Sequence, residues 1–319
     1  MYLVIDIGGT FVKYGVMSES GELLSKGKRG VQRNNLQELQ DVLYTIVDAQ
    51  DLEQIQGIAL SCPGTVDVDT GMVYHGGSFP FLHEINLARL LADRYDMDVS
   101  IENDGKCAAL AELWLGSVKH AKDSVVLVLG SGIAGGIIMD GKLQRGKNLS
   151  AGEVSYVMSR IDPVTKEAAY FGLESSAVEM VRRIGEMKGL DNPADGEAVF
   201  ELINQHDPDA YSVFDTYCTQ IAVQIMNLQY ILDPELFAIG GGISAQPVVL
   251  ERIEWAIGEL RRINPLHKAN PRITACTFGN DANLYGALYH FLEQSRCFDA
   301  CSALNTGASS YKMTRFQAT

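Results

Sequence analysis

Short apolar runs that end in glycine recur along the chain, and amphipathic segments of helical period separate them. Tyr2 to Ile7 is the first such run. It predicts a strand ending in Asp6-Ile7-Gly8-Gly9-Thr10, then a second strand over Phe11 to Met17 and a third over Leu23 to Lys28. Leu36, Leu39, Val42, Leu43, Ile46 and Val47 share one face of a helix expected over Asn35 to Ala49. A buried strand over Ile55 to Leu60 runs into Ser61-Cys62-Pro63-Gly64, Met72 to Leu82 reads as a loop rich in glycine and aromatics, and Leu87 to Tyr95 reads as a helix. Met97 to Ile101 then predicts a strand, and the Ala- and Leu-rich run from Gly105 to Glu112 a helix with its apolar face inward. Asn103 and Asp104 fall at the turn between them.

The second half repeats the opening. Ser124 to Leu129 is a nearly continuous apolar strand that meets a glycine turn, Gly130-Ser131-Gly132-Ile133-Ala134-Gly135-Gly136, followed by a strand over Ile137 to Met139 and a turn at Asp140-Gly141. Leu143 to Glu174 looks irregular. Helices are expected over Ser175 to Lys188, Ala198 to Asn204, Tyr211 to Leu232 and Val248 to Ile263. A strand from Leu236 to Ile239 enters Gly240-Gly241-Gly242, and a short strand from Ile273 to Thr277 precedes a closing helix, Asn283 to Phe291. From Gln294 the composition shifts to Ser, Ala, Thr and Asn, which predicts a flexible tail over 294–319.

Composition narrows the classes. A chain of 319 residues, 46% hydrophobic and 21% charged, is globular and long enough for two α/β domains. A formal charge of -14 argues against nucleic acid as a partner, though not against small anions held by backbone amides. No signal-like leader and no bilayer-length apolar run is visible, so a cytoplasmic protein with no membrane partner is expected. The six cysteines are scattered and read as reduced thiols, and the Cys297/Cys301 pair is weak ground for a metal.

Candidate chemistry gathers at the turns. A carboxylate at position 104, held at a strand-to-helix turn, can accept a proton from a substrate hydroxyl, with Asn103 beside it as an orienting amide. The competing use of Asp104 is as a helix cap. Gly8 and Gly9 expose backbone N–H groups to a phosphate, with Thr10 and Lys13 adding a hydroxyl and a cation and Asp6 able to hold magnesium through water. The alternative there is a plain hairpin turn. Glu153 and Glu174 each follow a glycine turn, and ordinary surface carboxylates are the alternative for both.

In their order and spacing, Asp6-Ile7-Gly8-Gly9-Thr10, Cys62-Pro63-Gly64, Glu102-Asn103-Asp104, Gly130 to Gly136, Gly152-Glu153, Gly172-Leu173-Glu174 and Gly240-Gly241-Gly242-Ile243-Ser244 resemble the ROK family (repressors, open reading frames and kinases). The resemblance implies a two-domain actin-like, ribonuclease H-like ATPase fold with an interdomain cleft. Residues 1–115 plus about 281–293 would form the smaller domain and 116–280 the larger. It implies ATP and Mg2+, with Asp6, Gly8, Gly9, Thr10, Lys13, Gly130, Ser131, Gly132 and Gly135 around the β- and γ-phosphates and Gly240, Gly241 and Gly242 near the adenosine. Asp104 would be the general base toward a sugar hydroxyl, usually the 6-hydroxyl, with Gly64, Ser78, Asn103, Glu153, Tyr156 and Glu174 on the sugar side. A homodimer is implied as well. Tyr156 stands where zinc-binding members carry histidine, and no cysteine lies between Cys107 and Cys218, so no structural zinc is expected. Ser78-Phe79-Pro80 replaces an Asn-Leu-Pro-like segment. Gly77 to His83 looks more like the zinc-free branch that includes β-glucoside kinases, and the two departures leave glucose, fructose, N-acetylmannosamine and β-glucoside disaccharides such as cellobiose as acceptors. A sugar-sensing regulator would carry a DNA-binding module ahead of the first strand, for which a chain whose first strand starts at Tyr2 leaves no room. A catalytically silent sugar-binding protein is the other alternative.

Overall fold

The computed structural model describes residues 1–305, with side chains described through Arg296. The first half builds an antiparallel meander, β1 (Tyr2–Ile7), β2 (Phe11–Met17) and β3 (Leu23–Gly30), followed by α1 (Leu36–Asp48), whose first turn is capped by Asn35. β4 (Ile58–Cys62) lies parallel to β1. A small sheet of β5 (Thr65–Asp67), β6 (Met72–Tyr74) and β7 (Ile85–Asn86) flanks the segment read as a loop, of which only β6 falls inside it; from His75 to Leu82 the chain is loop with one short 3-10 turn. Next come α2 (Leu87–Tyr95), β8 (Val99–Asn103) parallel to β4, and α3 (Asp104–Trp114). The sheet order is β3-β2-β1-β4-β8.

The second half repeats that topology. β9 (Ser124–Leu129), β10 (Ile133–Met139) and β11 (Lys142–Gln144) form a meander. A hairpin of β12 (Met158–Ile161) and β13 (Ala168–Tyr170) follows, then α4 (Phe171–Glu174), α5 (Ala177–Lys188), α6 (Gly196–Asn204) and α7 (Pro208–Leu232). β14 (Leu236–Gly240) runs parallel to β9, and after α8 (Pro247–Ile263) β15 (Ile273–Ala275) runs parallel to β14. The chain closes with α9 (Ala282–Asn305). The order β11-β10-β9-β14-β15 matches the first sheet strand for strand.

Three expectations change. The span from 143 to 174 is not irregular throughout: it holds the β12–β13 hairpin, hidden because β12 is exposed along its whole length and so shows no alternation. Gly135 and Gly136 lie inside β10, where Gly135 pairs with Leu127, so the turn is only Gly130 to Gly132. The closing helix runs on past Phe291 to Asn305, covering the start of the expected tail; the remainder of that tail and the Cys297 and Cys301 side chains lie outside the described residues.

The alternation within strands explains the layers. In the first sheet, Leu3, Ile5 and Ile7 face a core with Leu39, Leu43 and Ile46 of α1, while Val4 and Ala59 face Leu284, Ala287 and Leu288 of α9. In the second, Val125, Leu127 and Leu129 pack on Phe214, Ile221 and Ile225 of α7, while Val126 and Ala238 face Ala109 of α3. Helix α3 therefore lies between α9 and the second sheet. Its residues Gly105 to Glu112 are all buried, so it has no outward polar face, unlike the amphipathic helix expected. Near its end Glu112 satisfies four donors: Ser117 N (2.7 Å) and Oγ (2.8 Å), Thr277 N (2.7 Å) and Phe278 N (3.1 Å).

Close helix approach demands glycine. A Cβ built at Gly286 of α9 would stand 1.7 Å from the Cys107 carbonyl oxygen, whereas one at Gly258 of α8 meets nothing within 4 Å. Gly286→Ala should therefore lower folding stability by about 1–3 kcal/mol. Gly258→Ala should raise it by roughly 0.5–1 kcal/mol. Urea denaturation midpoints of the two variants check both signs, and equal shifts would contradict the α3–α9 packing.

Candidate active site

Four chain reversals carry the candidate residues. The first follows β1, where Gly8 N donates to Phe11 O at 3.1 Å and closes the bend. A Cβ at Gly9 would lie 3.3 Å from Ser78 Oγ and 3.7 Å from an Arg33 guanidinium nitrogen, so the Gly76–Phe79 loop folds over this bend. The second bend follows β9, closed by Gly130 N to Gly132 O at 2.9 Å. The third follows β14, and Gly241 takes φ +96° because a Cβ there would strike Leu129 O at 2.0 Å. β9 and β14 are parallel neighbours, with Gly240 opposite Val128, so the second and third bends sit side by side. Gly242 opens a short 3-10 turn with nothing within 4 Å of its Cβ direction, and Ser131 is exposed.

The fourth reversal is the step from β8 to α3. Asn103, not Asp104, caps the helix, its Oδ1 accepting from Lys106 N at 3.0 Å. Its amide nitrogen donates to Gly64 O (2.8 Å) and to Asp104 Oδ1 (3.0 Å). Both amide protons are thus used within the protein, so Asn103 serves chiefly to aim Asp104. Gly105 N donates to the same Oδ1 at 2.8 Å, leaving Oδ2 unclaimed among the described residues. A Cβ at Gly105 would meet Gly135 N at 2.6 Å, and that contact sets the start of α3 against β10. Gly135 takes part in this close backbone packing.

Asp6 is 3% exposed, and its Oδ1 accepts from Ser61 Oγ at 2.9 Å and Asn283 Nδ2 at 3.0 Å. Its Oδ2 lies 3.5 Å from Lys13 Nζ, which also donates to Asn280 O at 3.0 Å. Asp6 suits magnesium only as an outer partner: one oxygen is filled by neutral donors, and no cluster of three acidic, His or Cys side chains occurs among the described residues. Magnesium commonly draws most of its ligands from water and phosphate, so a carboxylate whose second oxygen is held by the Lys13 ammonium at 3.5 Å fits that outer role.

On the other wall, Glu153 pairs with the buried Lys106, and Ser155 bridges Ile133, accepting from its N at 3.1 Å and donating to its O at 2.8 Å. Ser155 Oγ also stands 3.2 Å from the Cβ direction of Gly132 and 2.3 Å from that of Gly172, tying the second bend to the turn that carries Glu174. Glu174 lies 3.9 Å from Arg160, and Tyr156 is 74% exposed with no ring or hydroxyl contact to the other site residues. Below them Glu102 is fully buried. Its Oε2 accepts from Arg145 Nε at 2.8 Å, its Oε1 accepts from Asn103 N at 2.7 Å, and Arg145 reaches His290 Nδ1 at 3.4 Å. Burial, and then the neighbouring guanidinium, push His290 down to about 3, so it is neutral.

The sequence reading passed over Lys106, Arg145, Ser155 and Asn283. Among these only Lys106 carried a signal, a cation in the first turn of an otherwise apolar helix.

Asp104 differs from its neighbours. Burial first, then the charges of Asp6 and Glu153, raise its proton affinity against the opposing pull of Gly105 N–H and Lys106, to a pKa of about 6. A carboxyl whose affinity rises on folding supports the fold fully only below its ordinary 3.8 and loses that support as pH climbs through about 6. Asp104→Asn keeps both Oδ1 hydrogen bonds without the charge. It should therefore be more stable than the parent at pH 8, by up to about 3 kcal/mol, and lose the advantage near pH 4. Thermal melts across that range check the sign.

The family model described as the ROK family matches residues 2–294. A β-glucoside kinase from Listeria innocua is 32% identical over 292 residues, covering 91% of this chain and 96% of the relative. A ROK family protein from Streptococcus pneumoniae TIGR4, solved in complex with sucrose, superposes with a TM-score of 0.81 at 28% identity over 92% of this chain and 99% of the other. A ROK family glucokinase from Streptomyces griseus, solved with glucose and AMPPNP, shares the fold, with a TM-score of 0.76 at 24% identity over 90% and 97% of the chains. No helix among the described residues is long and apolar enough to cross a membrane.

Proposed function

The chain belongs to the ROK family, and we propose that it transfers the γ-phosphoryl group of ATP to the 6-hydroxyl of a β-glucoside or hexose, with Asp104 as general base. The observation that carries this reading is the contrast between Asp104 and the carboxylates around it. Asp6, Glu102 and Glu153 are each engaged by donors or cations, while Asp104 keeps an oxygen unclaimed among the described residues and a pKa of about 6. Such a group is largely ionised near neutrality yet basic enough to take a proton in the transition state.

The roles follow from position. Residues 1–115 with 281–293 form one lobe and 116–280 the other, and the substrates lie between them. The bends at Gly8-Gly9-Thr10 and Gly130-Ser131-Gly132 offer backbone N–H groups to the β- and γ-phosphates, with Lys13 adding positive charge. The bend at Gly240-Gly241-Gly242 takes the adenosine side. Magnesium, carried in with the triphosphate and held through water by Asp6, spreads the charge that builds on the phosphate oxygens. Glu153 and Glu174 accept hydrogen bonds from other sugar hydroxyls, Gly64 and Ser78 border the same pocket, and Asn103 fixes the carboxylate that faces it. Asp104 removes the hydroxyl proton as the sugar oxygen bonds to the γ-phosphorus and the bond to the bridging oxygen of ADP breaks. The loop carrying Ser78 closes over the first bend and keeps water from competing. The zinc-free sequence around Tyr156 and the β-glucoside kinase relative support a β-glucoside acceptor.

ADP release from ATP and magnesium across hexoses, N-acetylhexosamines and β-glucosides tests the reading, with the largest kcat/KM expected on a β-glucoside such as cellobiose. Sugar binding without ADP release on any acceptor would instead identify a silent sugar-binding protein. Asp104→Asn should lower kcat by about two to four orders of magnitude while sugar affinity stays within a few-fold. Wild-type kcat/KM should rise with pH through about 6, because only the ionised Asp104 accepts the proton. A loss below tenfold, or a flat profile between pH 5 and 7, would remove Asp104 from the role.

A further inference from the structure

Lys106 occupies a place that helix physics disfavours. It lies in the first turn of α3, where the helix dipole repels a cation, and it is 3% exposed, which a lysine tolerates only when paired. Its partner is Glu153, and through its backbone N–H it also holds the oxygen of Asn103 at 3.0 Å. One residue thus touches both the amide that aims Asp104 and the carboxylate across the pocket. Its ammonium has three donors, and Glu153 is the side-chain acceptor that meets it among the described residues.

We propose that Lys106 is the positioning residue of the sugar pocket: its ammonium fixes the Glu153 carboxylate as an acceptor for the sugar hydroxyls and separates the negative charges of Glu153 and Asp104. The proposal rests on the roles given above to Glu153 and Asp104. The groups that face Asp104 include Asp6 from β1, Cys62 from β4, Glu153 from the opposite wall and Lys106 from its own helix. Cys62 is kept neutral by burial, so Lys106 is the cation acting directly against the two acidic neighbours. Arg145 is occupied by Glu102, and Lys13 lies beside Asp6. Without the ammonium, the Glu153 carboxylate is no longer held and can turn toward water on its exposed side, and Asp104 loses the positive charge that opposes its burial.

Lys106→Met, close to lysine in length, tests this in the full-length protein, with Lys106→Arg as the charge-keeping variant and Glu153→Gln as the partner. Lys106→Met should raise the sugar KM about tenfold or more, leave the ATP KM within about twofold, and move the acid limb of kcat/KM upward by about half a pH unit or more. Lys106→Arg should leave that limb in place. Lys106→Met combined with Glu153→Gln should cost no more than Glu153→Gln alone, since each single change breaks the same pair. An unmoved sugar KM and acid limb in Lys106→Met overturns the proposal. So does a parallel rise of both KM values with a lower melting temperature, which marks a purely structural lysine. Calorimetric titration of sugar into wild type and Lys106→Met separates this inference from the kinase reading. A protein that never releases ADP refutes the kinase, whereas equal sugar affinity of the two proteins refutes the role of Lys106.

Discussion

Everything in this molecule hangs on a helix that has no outside. Residues Gly105 to Glu112 of α3 are buried on every face, between α9 and the second sheet. A helix can be enclosed in this way only if its neighbours approach to backbone distance, and the sequence supplies small residues at the contacts. Gly105 meets Gly135 of β10, Gly286 of α9 meets the Cys107 carbonyl, and Ala108, Ala109 and Ala111 fill the remaining sides. The first residue of this helix is Asp104. A carboxylate carried on a rigid, doubly packed element keeps its direction whatever binds beside it, and the role proposed for Asp104 rests on that positioning.

The same enclosure sets the electrostatics. Asp6, Glu102, Asp104 and Glu153 crowd one region of a strongly acidic protein, and each is handled differently. Asp6 is quieted by neutral donors from Ser61 and Asn283, and Glu102 by the Arg145 guanidinium, while Glu153 takes the Lys106 ammonium. Truncating one partner of a buried ion pair leaves the other charged and unsolvated, so these arrangements behave as units. Asp104 is left with a backbone N–H and an amide, donors that orient a carboxylate but compensate its charge weakly. Among the described residues no cation hydrogen-bonds to it, and the charge of Lys106, paired with Glu153, offsets only part of the cost of its burial.

Much of this was legible along the chain, and the failures have physical causes. β1, β2, β9 and α2 fall where the apolar pattern puts them, because β1 and β9, buried on both faces, read as continuous apolar runs, β2, only partly buried, is bounded by turns on either side, and α2 keeps one polar face. The duplicated strand–glycine–strand unit pointed to the duplicated sheets. Periodicity could not show that α3 is buried all round, since it distinguishes a helix with two faces from one without a solvent side only through neighbours distant in sequence. Nor could it show which of two adjacent cap-forming residues would cap: Asn103 takes the cap because Gly64, thirty-nine positions earlier, fixes its amide. Ser61, Arg145 and Asn283 act on Asp6 and Glu102 across separations of tens to hundreds of residues, and no local spacing encodes such pairs.

The glycines that first suggested a nucleotide divide into two kinds once side-chain space is considered. A Cβ at Gly8, Gly135 or Gly241 would run into backbone oxygen, so at these positions glycine is required by the fold itself, whatever the ligand. At Gly130 and Gly242 a Cβ would meet little or nothing, and steric need within the chain does not explain the residue. Open glycines next to closed ones are what a phosphate cradle needs, since the closed ones hold the bend while the open ones leave room for an anion to reach N–H groups. A glycine motif read from sequence mixes the two, and Gly135 in β10 is a position where the fold alone already requires glycine. The distinction also explains why the two halves carry the motif in the same topological place. Each sheet turns its chain after its first strand, where the parallel strands beside it end, and there backbone amides are free to face a shared cleft.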